Sequence, residues 1–184
     1  MERIKWPFLK QTWGIELESS KGAYLYTKDG RKILDAAGGA IVNNIGYGRE
    51  EVAEAISKAV INNSYILPPF LTPEREALLD ELRNHWLPPH LTRIHLSSGG
   101  SEANESAVKL AIQYQASRGK PEKNIILTRS LSYHGTTLNM SGISGHQARK
   151  RGLESYVPSP TTIETPYPLR CPLGSFHPDS KDYY

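Results

Sequence analysis

Two adjacent glycines, Gly99 and Gly100, stand between an apolar run ending at Leu96 and the helix-forming run Ser101-Glu102-Ala103-Asn104-Glu105. No other stretch constrains the chain as much. Glycines at a strand-to-helix turn let the backbone adopt angles and approaches that a side chain forbids. The amides that open a helix have no acceptor within it and lie at the positive end of its dipole, so they suit a phosphate. The turn therefore reads as a cup for an anionic cofactor. Taken alone, a glycine pair favours a plainer role, a tight loop serving only helix–sheet packing, so the flanking residues have to decide.

Upstream of the turn, Ile94 and Leu96 predict a short strand. Downstream, Ala103, Ala107, Leu110, Ala111 and Tyr114 share one helical face, and Gly119-Lys120-Pro121 stops that helix. The run Asn124-Ile125-Ile126-Leu127-Thr128 is near-continuously apolar, as a buried parallel strand is. Strand, helix and strand over this length predict a βαβ unit with parallel strands. Ligands of open α/β sheets sit at the edge where such strands end. The loop after the second strand, Ser130-Leu131-Ser132-Tyr133-His134-Gly135, is thus expected beside Gly99-Gly100-Ser101, with an aromatic ring and an imidazole next to the cup. A P-loop would need a lysine and a hydroxyl directly after its glycines, and a dinucleotide fingerprint three spaced glycines; neither is present. What remains suits one phosphate attached to a flat ring.

The first part of the chain is organised differently. Tyr24-Leu25-Tyr26-Thr27 and Lys32-Ile33-Leu34-Asp35, joined through Asp29-Gly30, predict a β-hairpin. Residues 1 to 20 show little periodicity, although Trp6, Phe8 and Trp13 would need cover. The small residues around Gly38-Gly39 and Gly46-Tyr47-Gly48 suggest backbone packed closely against another surface. A helix is expected from Arg49, with Val52, Ala55, Ile56, Ala59 and Val60 on one face. Thr72-Pro73-Glu74 opens another with a capping hydroxyl, and Pro88-Pro89 ends it. From Ser155 onward, prolines at 158, 160, 166, 168, 172 and 178 predict a loop laid over a surface or a disordered arm.

Composition narrows the function class. The 184 residues are 38% hydrophobic and 22% charged, ordinary for a soluble globular protein. The net charge of +3 is dispersed, and Arg149-Lys150-Arg151 is too short for a nucleic-acid footprint and reads as a solvated helix end. One cysteine, Cys171, excludes an internal disulfide framework and fits a reducing compartment. The start lacks the apolar core of a signal peptide and no long apolar run could span a membrane, so a cytoplasmic location is expected. His85, His90 and His95 lack metal-ligand spacing, and no metal site is expected.

As a set, Ser98-Gly99-Gly100-Ser101-Glu102-Ala103-Asn104-Glu105 and Ser132-Tyr133-His134-Gly135 resemble the class III aminotransferases, which use pyridoxal phosphate (PLP) on the fold-type-I scaffold. Asp29 to Asp35 resembles that family's early hairpin, and Ile45-Gly46-Tyr47-Gly48-Arg49 its glycine-histidine-glycine segment, with Tyr47 where histidine is usual. Ser144-Gly145-His146 and the stretch from Tyr167 to Pro172 also fit. The resemblance implies an incomplete α/β fold: residues 1–60 from the N-terminal part of the small domain (β-hairpin plus helix), then 61–184 as the start of the large, mainly parallel PLP-binding domain. It implies that Gly100 and Ser101 bind the cofactor phosphate, that Tyr133 stacks on the ring, and that His134 lines the pocket. Glu102 fits an acid at a helix N-terminus at least as well as a cofactor contact. The implied reaction moves an amino group from an amine or amino acid to an oxo acid or aldehyde, in a homodimer. It needs a lysine to hold the cofactor and an acid for the pyridine nitrogen. In the family both lie downstream of residue 184, while Lys109, Lys120, Lys123 and Lys150 read as surface charges, so the chain alone is expected to be inactive. The alternative is a truncated, non-catalytic remnant with at most a partner-binding role.

Overall fold

The computed structural model describes residues 14–167, which fall into two compact units, one up to His90 and one from Leu91. Trp6, Phe8 and Trp13, and the stretch holding Pro168, Cys171, Pro172 and Pro178, lie outside the described residues.

The first unit is built on a three-stranded antiparallel sheet, β1 (Leu17–Lys21), β2 (Tyr24–Thr27) and β3 (Lys32–Leu34). The expected hairpin is β2–β3, with Tyr24 opposite Leu34 and Tyr26 opposite Lys32. Its turn is closed by Thr27, which is buried and whose hydroxyl accepts the Arg31 amide at 2.9 Å, while Gly30 supplies the positive φ of 83°. Nothing in the sequence predicts β1. Its side chains are mostly polar and exposed, so backbone pairing to β2 holds it and no apolar alternation announces it.

Past β3 the chain makes a single left-handed turn, α1 (Gly38–Ile41), with φ between 54° and 71° through Gly38, Gly39, Ala40 and Ile41. Two glycines take such angles freely; Ala40 and the β-branched Ile41 do not. The Asp35 carboxylate holds this turn, accepting the amides of Ala37 at 3.1 Å and Gly39 at 2.8 Å and the Tyr47 hydroxyl at 2.7 Å. Gly46 lies against the Gly22 carbonyl, where a Cβ would come within 3.2 Å, and Gly22 and Tyr47 exchange backbone hydrogen bonds at 2.8 and 2.9 Å. The close backbone packing expected here is thus with β1 and its turn.

The Tyr47 hydroxyl, ahead of the backbone amides, keeps the Asp35 carboxyl below the usual carboxylate range. Asp35 therefore adds stability at neutral pH that disappears as the pH falls from the ordinary carboxylate value through the lowered one. Tyr47→Phe is expected to raise the Asp35 pKa toward its ordinary value and to flatten this acid dependence. A carbon-detected NMR titration of the carboxyl group measures it; an unmoved pKa would show that the amides alone suffice.

Two helices complete the unit. α2 (Glu50–Asn62) starts after Arg49, and its apolar stripe is left open, with Ile56 60% exposed. α3 (Pro73–Glu81) is capped as the sequence predicts, the Thr72 hydroxyl accepting the Arg75 amide at 3.3 Å. It runs on through one π-helical turn, Leu82–Trp86.

In the second unit α4 (Gly100–Ser117) begins at the glycine turn and stops where Gly119 takes a φ of 72°. The predicted βαβ unit needs correction in its strands. Residues 91–97 join no sheet among the described residues. The parallel neighbour of β4 (Leu127–Arg129) is instead β5 (Thr161–Ile163), with Leu127 opposite Thr161 and Arg129 opposite Ile163. Ile94 and Leu96 alternate correctly for an extended segment, but alternation says nothing of which backbone lies alongside. The proline-rich segment, expected to be loop, supplies the strand because three β-branched residues fit between Pro160 and Pro166.

Between β4 and β5 lie α5 (Leu138–Ile143) and α6 (Gln147–Lys150). The buried core here mixes Met140 and Ile143 with Thr128, Ser132, Ser141 and Ser144. Gly145 is wedged among the carbonyls of Arg129 and Ser130, where a Cβ has no room.

Candidate functional site

The site is assembled by the helix that follows the glycine pair and the loop that follows β4. Thr136 donates its amide to Ser101 Oγ at 3.0 Å, and Asn104 Nδ2 donates to the His134 carbonyl at 2.7 Å. The loop thus runs across the start of α4, as expected, although the segment leading into the turn pairs with no strand among the described residues. Gly135 makes the approach possible. A Cβ on it would lie 2.6 Å from Ser101 Oγ and 3.0 Å from Ser101 Cα.

Each predicted site residue has a distinct setting. Gly100 is the first residue of α4 and nothing stands within 4 Å of where its Cβ would be, so a ligand can approach the backbone there. Ser101 accepts the Thr136 amide and keeps its hydroxyl proton to donate. Tyr133 is 54% exposed, with the Arg149 guanidinium 4.9 Å from its ring centroid and the His146 ring edge-on at 6.3 Å. The exposed part of the tyrosine beside these two neighbours is aromatic surface that a flat ring can meet. His134 turns inward: its Nε2 lies 2.9 Å from Thr128 Oγ1, and its amide donates to Ser144 Oγ at 2.9 Å.

The single proton of each hydroxyl orders the contacts around His134. Ser132 Oγ donates to the Arg129 carbonyl at 2.8 Å, so its single proton is used. In the 3.0 Å contact between the Thr128 and Ser132 hydroxyls, Thr128 must then be the donor. Having spent its own proton, Thr128 accepts from His134, whose Nε2 is then the donor of that contact. Each of these buried hydroxyls is paired, which matters because an orphaned one costs about 1–3 kcal/mol.

Glu102 folds its carboxylate back over Gly99, with Oε2 2.9 Å from where a Cβ would sit. That is the position of an acid complementing the positive end of α4. Sequence reasoning misses Glu105, which accepts from Thr137 Oγ1 at 2.5 Å and Asn139 Nδ2 at 2.7 Å. These donors, with Thr137 first, and the Met140 amide lower the Glu105 pKa. Arg149, in sequence part of a solvated helix end, does lie in the last turn of α6, but it also covers Tyr133, a contact that no spacing in the sequence announces. Lys109, Lys120 and Lys123 are exposed on the surface of the unit.

A hydroxyl and helix-opening amides are the donors an anion needs, and the half-covered tyrosine is the platform a planar group needs. The residues present therefore fit a phosphorylated aromatic cofactor.

Comparison with known proteins agrees with this geometry. The family model for class-III aminotransferases matches residues 10–179. A probable aminotransferase of Mycobacterium tuberculosis is 35% identical over 163 residues, covering 88% of this chain and 34% of its own length. The diaminobutyrate–2-oxoglutarate transaminase of Halomonas elongata is 30% identical over 155 residues, covering 84% of this chain and 33% of its own. Among solved structures, a thermostable (S)-enantioselective omega-transaminase from Thermomicrobium roseum superposes with a TM-score of 0.79 at 29% identity, over 87% of this chain and 36% of that one. The chain spans about a third of the length of the curated relatives it matches. An incomplete α/β unit with a glycine cup at the start of α4, matched along nearly all of its sequence, belongs to the class III aminotransferases and corresponds to the N-terminal portion of their fold.

Proposed function

We propose that the protein is a PLP-dependent transaminase that moves an amino group from an amine or amino acid to an oxo acid or aldehyde. The reading rests on one observation above the others: the Thr136 amide on Ser101 Oγ at 3.0 Å, which joins the anion cup to the Tyr133–His134 loop. In this reading the amides at the start of α4, at Gly100 and Ser101, and the Ser101 hydroxyl hold the phosphate. Tyr133 fixes the plane of the ring, and His134, anchored through Nε2, lines the pocket. Bound there, PLP supplies an electron sink for breaking a bond at the amino-bearing carbon. The name of the Halomonas relative pairs an amino acid with a 2-oxo acid, which supports substrates of those two classes.

The same reading assigns residues 1–60 to the small domain and 61–184 to the start of the cofactor domain of a cytoplasmic homodimer. The open apolar stripe of α2 and the exposed Leu110 and Tyr114 of α4 are surfaces that further domain mass or a second subunit would cover. Exposed lysines such as Lys109 and Lys120 are poor candidates for the one that must hold the cofactor, since a solvated ammonium is a weak nucleophile at neutral pH. In this reading none of these lysines holds the cofactor, and the 184-residue chain by itself is expected to be inactive.

Titration of the protein with PLP, followed by quenching of its intrinsic fluorescence, tests the site. Saturable binding that inorganic phosphate competes away is the expected result. Quenching that fails to saturate, or that phosphate leaves unchanged, would overturn the assignment.

A further inference from the structure

We propose that Glu105 is a positioning residue for the cofactor site, its carboxylate latching residues 134–139, the loop and the first turn of α5, onto α4 and so setting where Tyr133 and His134 stand relative to Ser101. The proposal deepens the PLP reading and rests on it for its functional consequence. Ser101, Asn104 and Glu105 are spaced i, i+3 and i+4, which places them on one face of α4. All three grip the same segment: Ser101 takes the Thr136 amide, Asn104 the His134 carbonyl, and Glu105 the side chains of Thr137 and Asn139. The first two are single hydrogen bonds at exposed positions. Glu105 is the strong point, because a carboxylate is an acceptor only and each of its two oxygens meets a donor, Oε1 from Thr137 and Oε2 from Asn139. Thr137 is also the residue that caps α5, accepting the Met140 amide at 3.4 Å, so the latch holds the helix that buries Met140 and Ile143 as well.

The donor count makes the latch testable by exchange of charge. Glu105→Gln keeps the volume but replaces one acceptor oxygen by a donor, so whichever way the amide faces, either Thr137 or Asn139 loses its partner. Asn139→Asp in the otherwise unchanged protein sets a second carboxylate against the first. When Glu105→Gln and Asn139→Asp are combined, the new amide on α4 donates to the new carboxylate on α5. Its carbonyl still accepts from Thr137, and the latch is re-formed with the charge on the other side. Two readouts are taken on the full-length protein and each variant: the exchange rate of the Thr136 and His134 amides, and the Kd for PLP.

Each single substitution is expected to speed exchange at both amides and to weaken PLP on the order of tenfold or more, with the double substitution recovering most of both. Glu105→Ala, which removes every acceptor, is expected to be at least as damaging as Glu105→Gln. Unchanged exchange and affinity in Glu105→Ala would overturn the proposal. Additive losses in the double substitution, with no recovery, would also overturn it. If the unsubstituted protein binds no PLP, the cofactor reading fails, and the exchange rates alone still decide whether Glu105 is the latch.

Discussion

Ser101→Asp is expected to lower the affinity for PLP far more than Ser101→Ala does, while leaving the fold as stable as before or more so. The two effects have opposite signs for one reason, the position of residue 101 in the first turn of α4. A carboxylate there complements the helix dipole, worth about 0.3–1 kcal/mol. The same carboxylate faces a phosphate that carries roughly −1.5 to −2 charge at neutral pH. Two unit charges about 4 Å apart repel by about 1 kcal/mol in water and about 4 kcal/mol at the effective dielectric of a protein surface. Affinity should therefore fall roughly ten- to thousandfold. Aspartate also preserves the acceptor for the Thr136 amide, the contact that joins the loop to the helix. Alanine removes that acceptor and the hydroxyl but adds no charge, and about a tenfold loss is expected of it. Thermal unfolding alongside a PLP titration separates the cases. If aspartate binds PLP as serine does, the start of α4 is not where the phosphate sits.

What can be foreseen from the sequence, and what cannot, divides along the range of the interactions. Thr72 as a cap, Asp29-Gly30 as a hairpin turn and Gly119 as a helix stop are each decided within a few residues, and each is found as expected. The logic of sheet edges puts the loop carrying Tyr133 beside Ser101, and the Thr136–Ser101 contact brings it there. The strand partner is misassigned from sequence because β4 carries nothing in its own residues to choose between residues 94–96 and 161–163. Glu105 is invisible for a related reason. On a helix surface a glutamate is ordinarily a solvated charge, and only the arrival of Thr137 and Asn139, distant in sequence, gives it a role. The inward turn of His134 depends likewise on Thr128 and Ser132, whose hydroxyls pass in a sequence for ordinary strand and loop residues.

Gly135→Ala is expected to be among the most damaging single substitutions in the second unit, costing stability and cofactor affinity together. Gly135 is buried and has a φ of 148°, a backbone conformation that residues with a Cβ rarely adopt, at a cost on the order of 1–3 kcal/mol. The added methyl would also stand 2.6 Å from Ser101 Oγ, 2.9 Å from Met140 Cβ and 3.0 Å from Ser101 Cα. The hydroxyl can turn aside, but the Ser101 backbone cannot, and Met140 is fully buried with nowhere to go. Overpacking of this kind costs about 1–3 kcal/mol more. For a chain of this size the combined loss corresponds to a fall in Tm on the order of 10 °C. Relief can come only by moving the loop away from α4, which lengthens the Thr136–Ser101 and Asn104–His134 hydrogen bonds. Differential scanning fluorimetry and PLP titration should therefore report losses in step. Gly100→Ala is the contrasting case: with nothing within 4 Å of its Cβ position it should leave the Tm unchanged or raised while the methyl crowds the phosphate approach. If Gly135→Ala melts and binds like the unsubstituted protein, the loop and the helix are not held at the distance on which the site depends.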